Sequence, residues 1–118
     1  MISLDFLQGR VTYDELSLLQ NLGIEHQLNE LKEDMLQVEY PDGFLLDVGW
    51  YPSFDIKGNF NIKIIKDYQW ESPSLTLTAH SIETLNKALL FAQLTINTER
   101  QKSETRQLQE PSATRLLN

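Results

Sequence analysis

The sequence feature that most constrains the fold is a turn between two apolar-rich segments. Segments 35–40 and 44–51 flank the residues Tyr40-Pro41-Asp42-Gly43. In such a turn the proline presets φ, the aspartate can bond back to the backbone, and the glycine accepts a positive φ. The pattern therefore predicts a β-hairpin with a defined turn.

Two further strands are expected after this hairpin. Pro52 interrupts the second strand, and residues 55–59 supply the next reversal of the chain. Apolar residues then alternate with other residues over about 59–66, and apolar residues alternate with threonines over 75–79. With a loop at 67–74 between them, these segments predict a mainly antiparallel, four-stranded meander.

Helical signals lie on both sides of the predicted strands. Thr12-x-x-Glu15 has the form of a capping box, which predicts a helix over about 13–22 that ends at Gly23. For 24–34 the spacing favours a second short helix, although Ile24, His26 and Leu28 also alternate as a strand would. Before the sheet, the sequence therefore predicts a helix over about 13–22 and leaves two alternatives, helix or strand, for 24–34.

A long amphipathic helix is expected after the sheet. Ser81 is a suitable N-cap, and an apolar stripe at helical period follows it, formed by Ile82, Leu85, Leu89, Ala92 and Ile96. The chain is predicted to fold as a single α+β domain over 1–107, with the N-terminal helical segment and the C-terminal helix packed on the sheet. Residues 108–118 are predicted to be a disordered tail.

The charge of the chain is concentrated in its first half. Residues 1–50 hold ten acidic side chains against two basic ones, Arg10 and Lys32, and the formal net charge of the whole chain is −7. Nucleic acid is an unsuitable ligand for such a surface, because binding to phosphate depends on lysine and arginine. The asymmetry favours a protein partner with a basic surface, while solubility alone is the simpler explanation of the acidity.

The chain has no cysteine, which excludes disulfides, thiolate catalysis and thiolate zinc sites. This composition fits a reducing compartment, and we expect the cytoplasm. The N-terminus lacks the basic start of a signal peptide, and no apolar stretch approaches the roughly 20 residues of a membrane helix. We therefore expect neither secretion nor membrane insertion.

No constellation of residues indicates catalysis, a metal or a cofactor. His26 and Glu30 would lie one turn apart on a helix, but two ligands do not define a metal site. Three carboxylate pairs lie near predicted turns, where acidic residues commonly serve solubility and capping: Glu33 with Asp34, Asp42 with Asp47, and Asp67 with Glu71. We predict a protein that is not an enzyme and carries no cofactor.

Aromatic residues near the ends of the predicted strands are the best candidates for binding a partner, because tryptophan and tyrosine are frequent interface anchors. An alternative is that Trp50 and Trp70 close the ends of the core. Combined with the nearby carboxylates, the predicted partner-binding residues are Asp42, Asp47, Trp50, Tyr51, Phe54 and Trp70.

Three motifs, Leu46-Asp47-Val48-Gly49-Trp50-Tyr51-Pro52, Gly58-Asn59-Phe60 and Trp70-Glu71-Ser72-Pro73, resemble those of small acidic immunity proteins from bacterial polymorphic-toxin systems. More loosely, Asp55-x-x-Gly58-x-Phe60-x-Ile62 and Ser81-x-Glu83-x-Leu85-x-x-Ala88-Leu89 resemble the layout of HicB-like antitoxins, without their Pro-Gly signature. The first resemblance implies an inhibitor that neutralises its partner by binding it. The alternative is a self-associating subunit, such as a homodimer formed through the sheet or the 82–107 helix.

Overall fold

In the computed structural model, which describes the backbone of residues 1–117 and the side chains of residues 1–104, one antiparallel sheet packs against one long helix. The sheet has five strands in the order β1-β2-β3-β4-β5, so every strand pairs with its neighbours in the chain. The strands are β1 Arg10–Asp14, β2 Leu36–Glu39, β3 Phe44–Tyr51, β4 Asn59–Lys66 and β5 Leu75–Ala79, and the helix, α1, is Ile82–Leu117.

The four predicted strands are confirmed as β2 to β5. In the turn between β2 and β3, φ is positive at Gly43 (81°), as expected, and also at Asp42 (68°), where the sequence did not predict it. The amide of Tyr40 donates to the carbonyl of Phe44 over 2.9 Å and closes the turn. The α+β architecture with a mainly antiparallel sheet therefore agrees with the prediction, but the sheet has one strand more.

One face of the sheet holds the core. The register places Leu46 of β3 opposite Ile64 of β4, and Trp50 opposite Phe60, so all four side chains lie on the same face. Each of these side chains is at most 1% exposed. The rings of Trp50 and Phe60 meet edge to face with centroids 4.9 Å apart, which is a favourable aromatic geometry.

Helix α1 covers this core face. The Ser81 hydroxyl accepts a hydrogen bond from the Thr84 amide over 3.1 Å, as predicted for an N-cap. The whole predicted apolar stripe is buried: Ile82, Leu85, Leu89, Ala92 and Ile96. The proposed boundary between a domain at 1–107 and a disordered tail at 108–118 falls beyond the described side chains and stays a prediction.

The predicted helix over 13–22 is wrong. Residues 10–14 form β1 at the edge of the sheet, and only Leu16–Leu18 makes a short 3₁₀ turn. The capping-box threonine is used by the sheet instead, because the Thr12 hydroxyl donates to the Gln37 carbonyl over 3.3 Å. Asp14 accepts bonds from the amide and hydroxyl of Ser17, at 2.9 and 2.7 Å, and this local competition favours a turn over a helix.

The second short helix, which the spacing favoured over 24–34, is also wrong. Two separate 3₁₀ turns, Ile24–His26 and Leu28–Glu30, replace it. Gln27 lies between them, and its side-chain amide donates to the carbonyls of Gln20 (2.9 Å) and Leu22 (3.1 Å). These bonds tie the segment to the preceding loop.

Across the described part of the chain, no helix has both the length and the apolar character that a bilayer span requires.

Candidate functional site

The second face of the sheet is not covered by α1. Its residues alternate with the core residues along each strand, and we call it the open face. The register brings together, on this face, Tyr13, Gln37, Leu45, Asp47, Gly49, Tyr51, Asn61, Lys63 and Ile65. The face is mixed in character, with carboxylate, amide, aromatic and aliphatic groups side by side.

Three carboxylates act together on the Tyr51 hydroxyl of the open face, and we call Glu33, Asp34 and Asp47 the acidic cluster. Asp47 belongs to β3, while the other two belong to a segment that runs beside the end of β3. The Met35 amide donates to the Val48 carbonyl over 3.0 Å, and the Trp50 amide donates to the Lys32 carbonyl over 2.7 Å. These two bonds hold the segment along β3 and bring Glu33 and Asp34 toward the open face.

Burial and the carboxylates of the acidic cluster raise the pKa values of Asp47 and Tyr51. Burial raises the pKa of Asp47, and the nearby Asp34 raises it further, whereas the side-chain amide of Gln37, 3.3 Å away, and Lys63 lower it. Burial also raises the pKa of the Tyr51 hydroxyl, and Asp47, Asp34 and Glu33 all act in the same direction. Tyr51 therefore lies within reach of all three carboxylates.

The single lysine of the acidic half is already paired. Lys32 Nζ donates to Glu15 Oε2 over 2.9 Å, which lowers the pKa of Glu15 and raises that of Lys32. A hydrogen bond between the side chains of Tyr13 and Glu15 raises the pKa of Tyr13. Among the side chains of residues 1–104, the acidic cluster forms no ion pair.

Aromatic residues of the loop between β4 and β5 reach the other end of the open face. Tyr68 is 81% exposed and Trp70 is 45% exposed. Together with open-face residues such as Gln37 and Leu45 they line a shallow cavity of about 300 Å³. Trp70 thus lies at the end of β3 opposite Tyr51, but on the same face of the sheet.

The six predicted partner-binding residues do not form one surface. Asp47, Tyr51 and Trp70 belong to the open face. Phe54 is 55% exposed, and its amide donates to the Leu31 carbonyl over 2.8 Å, which places it near the segment that carries Glu33 and Asp34. Trp50 is fully buried, and its Nε1 donates to the Asp55 carbonyl over 2.8 Å, so its indole is part of the core.

Asp42 is the remaining predicted residue, and it lies in the turn between β2 and β3. Arg100 Nε approaches its carboxylate at 3.4 Å, and Lys66 Nζ donates to its carbonyl oxygen. The role visible for Asp42 is therefore to connect the turn to α1 and β4. A partner would have to compete with Arg100 for this carboxylate.

No group of three or more histidine, aspartate or glutamate side chains within 1–104 is arranged to hold a metal ion. His26 pairs instead with Glu25 at 3.4 Å. A raised pKa at Asp47 is a property that catalytic carboxyls share, but Asp47 does not line the cavity next to Leu45.

Sequence reasoning missed four residues of this face. Glu33 and Asp34 were considered only as a catalytic pair, and Tyr13 was placed in a helix that does not form. Tyr68 was considered with Trp70 among the aromatic residues of the loop but was not included in the predicted partner-binding residues. One signal for this face was available in the sequence. Asp47 and Tyr51 are four residues apart on β3, and side chains an even number of residues apart on a strand share a face.

Comparison of this chain with protein-family models, with curated proteins and with solved structures finds no match.

Proposed function

We propose that this protein is a non-catalytic binding module whose open face covers a basic surface on a protein partner. The more specific form of the proposal is an immunity-type inhibitor that neutralises its partner in the cytoplasm. The acidic cluster supplies the charge complementarity, and aromatic side chains at both ends of β3 supply the apolar contacts. Nucleic acid and membrane are not the surfaces for which this chemistry is suited.

The observation that carries the proposal is that the acidic cluster forms no ion pair with the described side chains, although one of its members, Asp47, is partly buried. A carboxylate with a raised pKa costs stability when it is ionised at neutral pH. Folds tend to retain such a cost where a residue has a function. A cation from a partner would offset both the burial of Asp47 and its repulsion from Asp34, so binding would remove the cost.

The distribution of aromatic residues supports the same surface. Leu45 and Tyr51 are six residues apart on β3, which corresponds to roughly 20 Å along the strand. Tyr51 and Phe54 lie at one end of this distance, and Tyr68 and Trp70 at the other. A standard protein interface of about 800 Å² per partner would include both ends. The acidic cluster would then lie inside the contact area, where charge pairs contribute to specificity.

The proposal can be tested by comparing three baits in affinity capture from the native cell lysate at low salt. The first is the wild-type chain, and the second is the triple variant E33Q/D34N/D47N. The third is a charge-matched control, D5N/E25Q/E104Q, whose exposed carboxylates lie outside the open face. Each triple variant raises the formal net charge from −7 to −4.

The expected result is a dominant basic protein that the wild type and the control recover equally and that 0.5 M salt releases. The acidic-cluster variant should lose most of it, because the local charge rather than the net charge attracts the partner. Equal recovery by all three baits would exclude the open face as the binding surface. Adding W70A to the wild type should also reduce recovery, since aromatic anchors slow dissociation.

A further inference from the structure

The solvent-facing side of α1 carries an apolar patch that neither the core nor the open face explains. Leu90, Phe91 and Leu94 are 49%, 55% and 55% exposed. They lie on the side of α1 opposite the buried stripe of Leu85, Leu89 and Ala92, because a helix turns about 100° per residue. Three large apolar side chains within one and a half turns exceed what solubility would favour on an exposed helix.

The patch includes a ready-made depression. Phe91, Leu94, Thr95 and Thr98 line a surface cavity of about 260 Å³ together with Glu99. Residues at positions i, i+3, i+4 and i+7 are the four that form the hole of knobs-into-holes packing between helices. An apolar side chain of a facing helix, such as Phe91 of a second copy, has the chemistry to enter it.

The polar groups around the depression are already satisfied. The Thr95 hydroxyl donates to the Phe91 carbonyl over 2.8 Å, and the Thr98 hydroxyl donates to the Leu94 carbonyl over 3.0 Å. A facing helix would therefore bury both threonines without leaving an unpaired donor. This arrangement lowers the cost of covering the patch.

The charged residues before and after the patch favour a second copy of α1 as the partner that covers it. Glu83 and Lys87 precede it and Glu99 and Lys102 follow it, each pair 3.3 Å apart within the helix. If two copies of α1 pack antiparallel with Phe91 opposite Leu94, then Lys87 lies opposite Thr98 and Glu83 opposite Lys102. A parallel pair would bring Glu83 against Glu83 and Lys102 against Lys102.

We infer that a second copy of this chain packs antiparallel on α1, which buries Phe91 and Leu94 at the centre of the contact and leaves both open faces free. The contact extends from Glu83 to Lys102, roughly 30 Å of helix. One helix face of this length buries less than the roughly 800 Å² per partner of a standard interface. The dimer should therefore be weak, and its population should depend on concentration.

Sedimentation equilibrium of the full chain tests the contact. The wild type should pass from monomer to dimer between about 5 and 500 µM, and Leu94→Glu should weaken association about 10-fold or more. Leu22→Glu is the matched control, because Leu22 is 54% exposed and lies outside α1, and it should dimerise as the wild type does. A wild type that stays monomeric at about 500 µM, or an L94E variant that dimerises normally, would overturn the inference.

Because the chain lacks cysteine, disulfide formation between single variants tests the orientation independently. K87C and T98C, mixed in equal amounts and oxidised by air, should form mainly the mixed disulfide. In the antiparallel pair two K87C side chains would be about 16 Å apart along the axis, which is beyond the reach of a disulfide. Predominance of the two homodimeric disulfides would reject the antiparallel arrangement.

Discussion

The carbonyl oxygen of Glu33 lies directly over the α-carbon of Gly49, at a place where any β-carbon would collide with it. Gly49 belongs to the open face, between Asp47 and Tyr51 on β3. The missing side chain lets the Glu33–Asp34 segment approach the sheet, so one glycine determines where two members of the acidic cluster lie. The local fold and the proposed binding surface therefore depend on the same contact.

Gly49→Ala should destabilise the fold and displace the acidic segment. The new methyl group would overlap the Glu33 carbonyl, which is backbone and cannot rotate away, so we expect a loss of about 1–3 kcal/mol in the free energy of unfolding. Urea denaturation measures it. The control is Asn61→Ala, opposite Gly49 on β4, with an expected change below about 0.5 kcal/mol. A Gly49→Ala protein as stable as the wild type would refute this view of the contact.

Asp47→Asn should stabilise the protein at pH 7 while weakening its binding to the partner. The pKa of Asp47 is raised from its ordinary value of 3.8 by burial and by Asp34, so the folded state holds the proton more tightly than the unfolded state. The ionised form consequently costs stability, and this cost grows as the pH rises through the folded-state pKa. Asparagine removes the charge and so removes the cost.

The pH dependence gives this prediction its control. As the pH falls well below 3.8, Asp47 becomes protonated in both states, so the stabilisation that Asp47→Asn gains by removing the charge should disappear. Thermal unfolding from pH 3 to pH 8 measures the difference. Asp5→Asn, which removes an exposed carboxyl outside the open face, is the matched control over the same pH range. A destabilising effect of Asp47→Asn at pH 7 would contradict the proposed sign.

The two tryptophans should separate stability from binding. Trp50→Ala removes a fully buried indole, its edge-to-face contact with Phe60 and its bond to Asp55, and should cost about 3–5 kcal/mol. Trp70→Ala should cost less than about 1 kcal/mol because Trp70 is half exposed. Chemical denaturation of both variants tests this. A large loss at Trp70 would show that it closes the core, which was the alternative that the sequence left open.

Substitutions of Gln93 should destabilise the fold, because its side chain connects α1 to Tyr40 and Gln8. Its Oε1 accepts bonds from the Tyr40 hydroxyl at 2.6 Å and from the Gln8 amide at 2.8 Å, and the residue is 2% exposed. Gln93→Leu would leave two donors unsatisfied and should cost about 2–4 kcal/mol. Tyr40→Phe, which removes one donor and leaves the other paired, should cost about half as much in the same denaturation assay. A Tyr40→Phe variant as stable as the wild type would show that this hydrogen bond does not contribute to stability.

Four strands and the helix were predictable because their signals are local and mutually consistent. The Pro41-Asp42-Gly43 turn defines the first hairpin, and the apolar stripe from Ile82 to Ile96 matches the helical period through its whole length. Burial in the structure follows both patterns. For these elements, local preference and tertiary packing agree.

The N-terminal elements could not be predicted in the same way, because long-range pairing decides them. Thr12 to Glu15 has the spacing of a capping box, yet the edge of β2 offers backbone partners to residues 10–14. Pairing with the sheet satisfies more of this backbone than one isolated helical turn would. The acidic cluster was hidden for the same reason, since contacts between residues distant in sequence, among them the one between Glu33 and Gly49, place Glu33 and Asp34 beside β3.

The measurement that tests the central claim most directly is stopped-flow association of the captured partner with the wild type and with E33Q/D34N/D47N, across ionic strength. If the acidic cluster attracts a basic surface, the wild-type association rate should fall about 10-fold or more from low to physiological salt, while dissociation changes little. The variant should associate slowly at every salt concentration and show a much smaller salt dependence. Equal rates and equal salt dependence for the two proteins would contradict the claim.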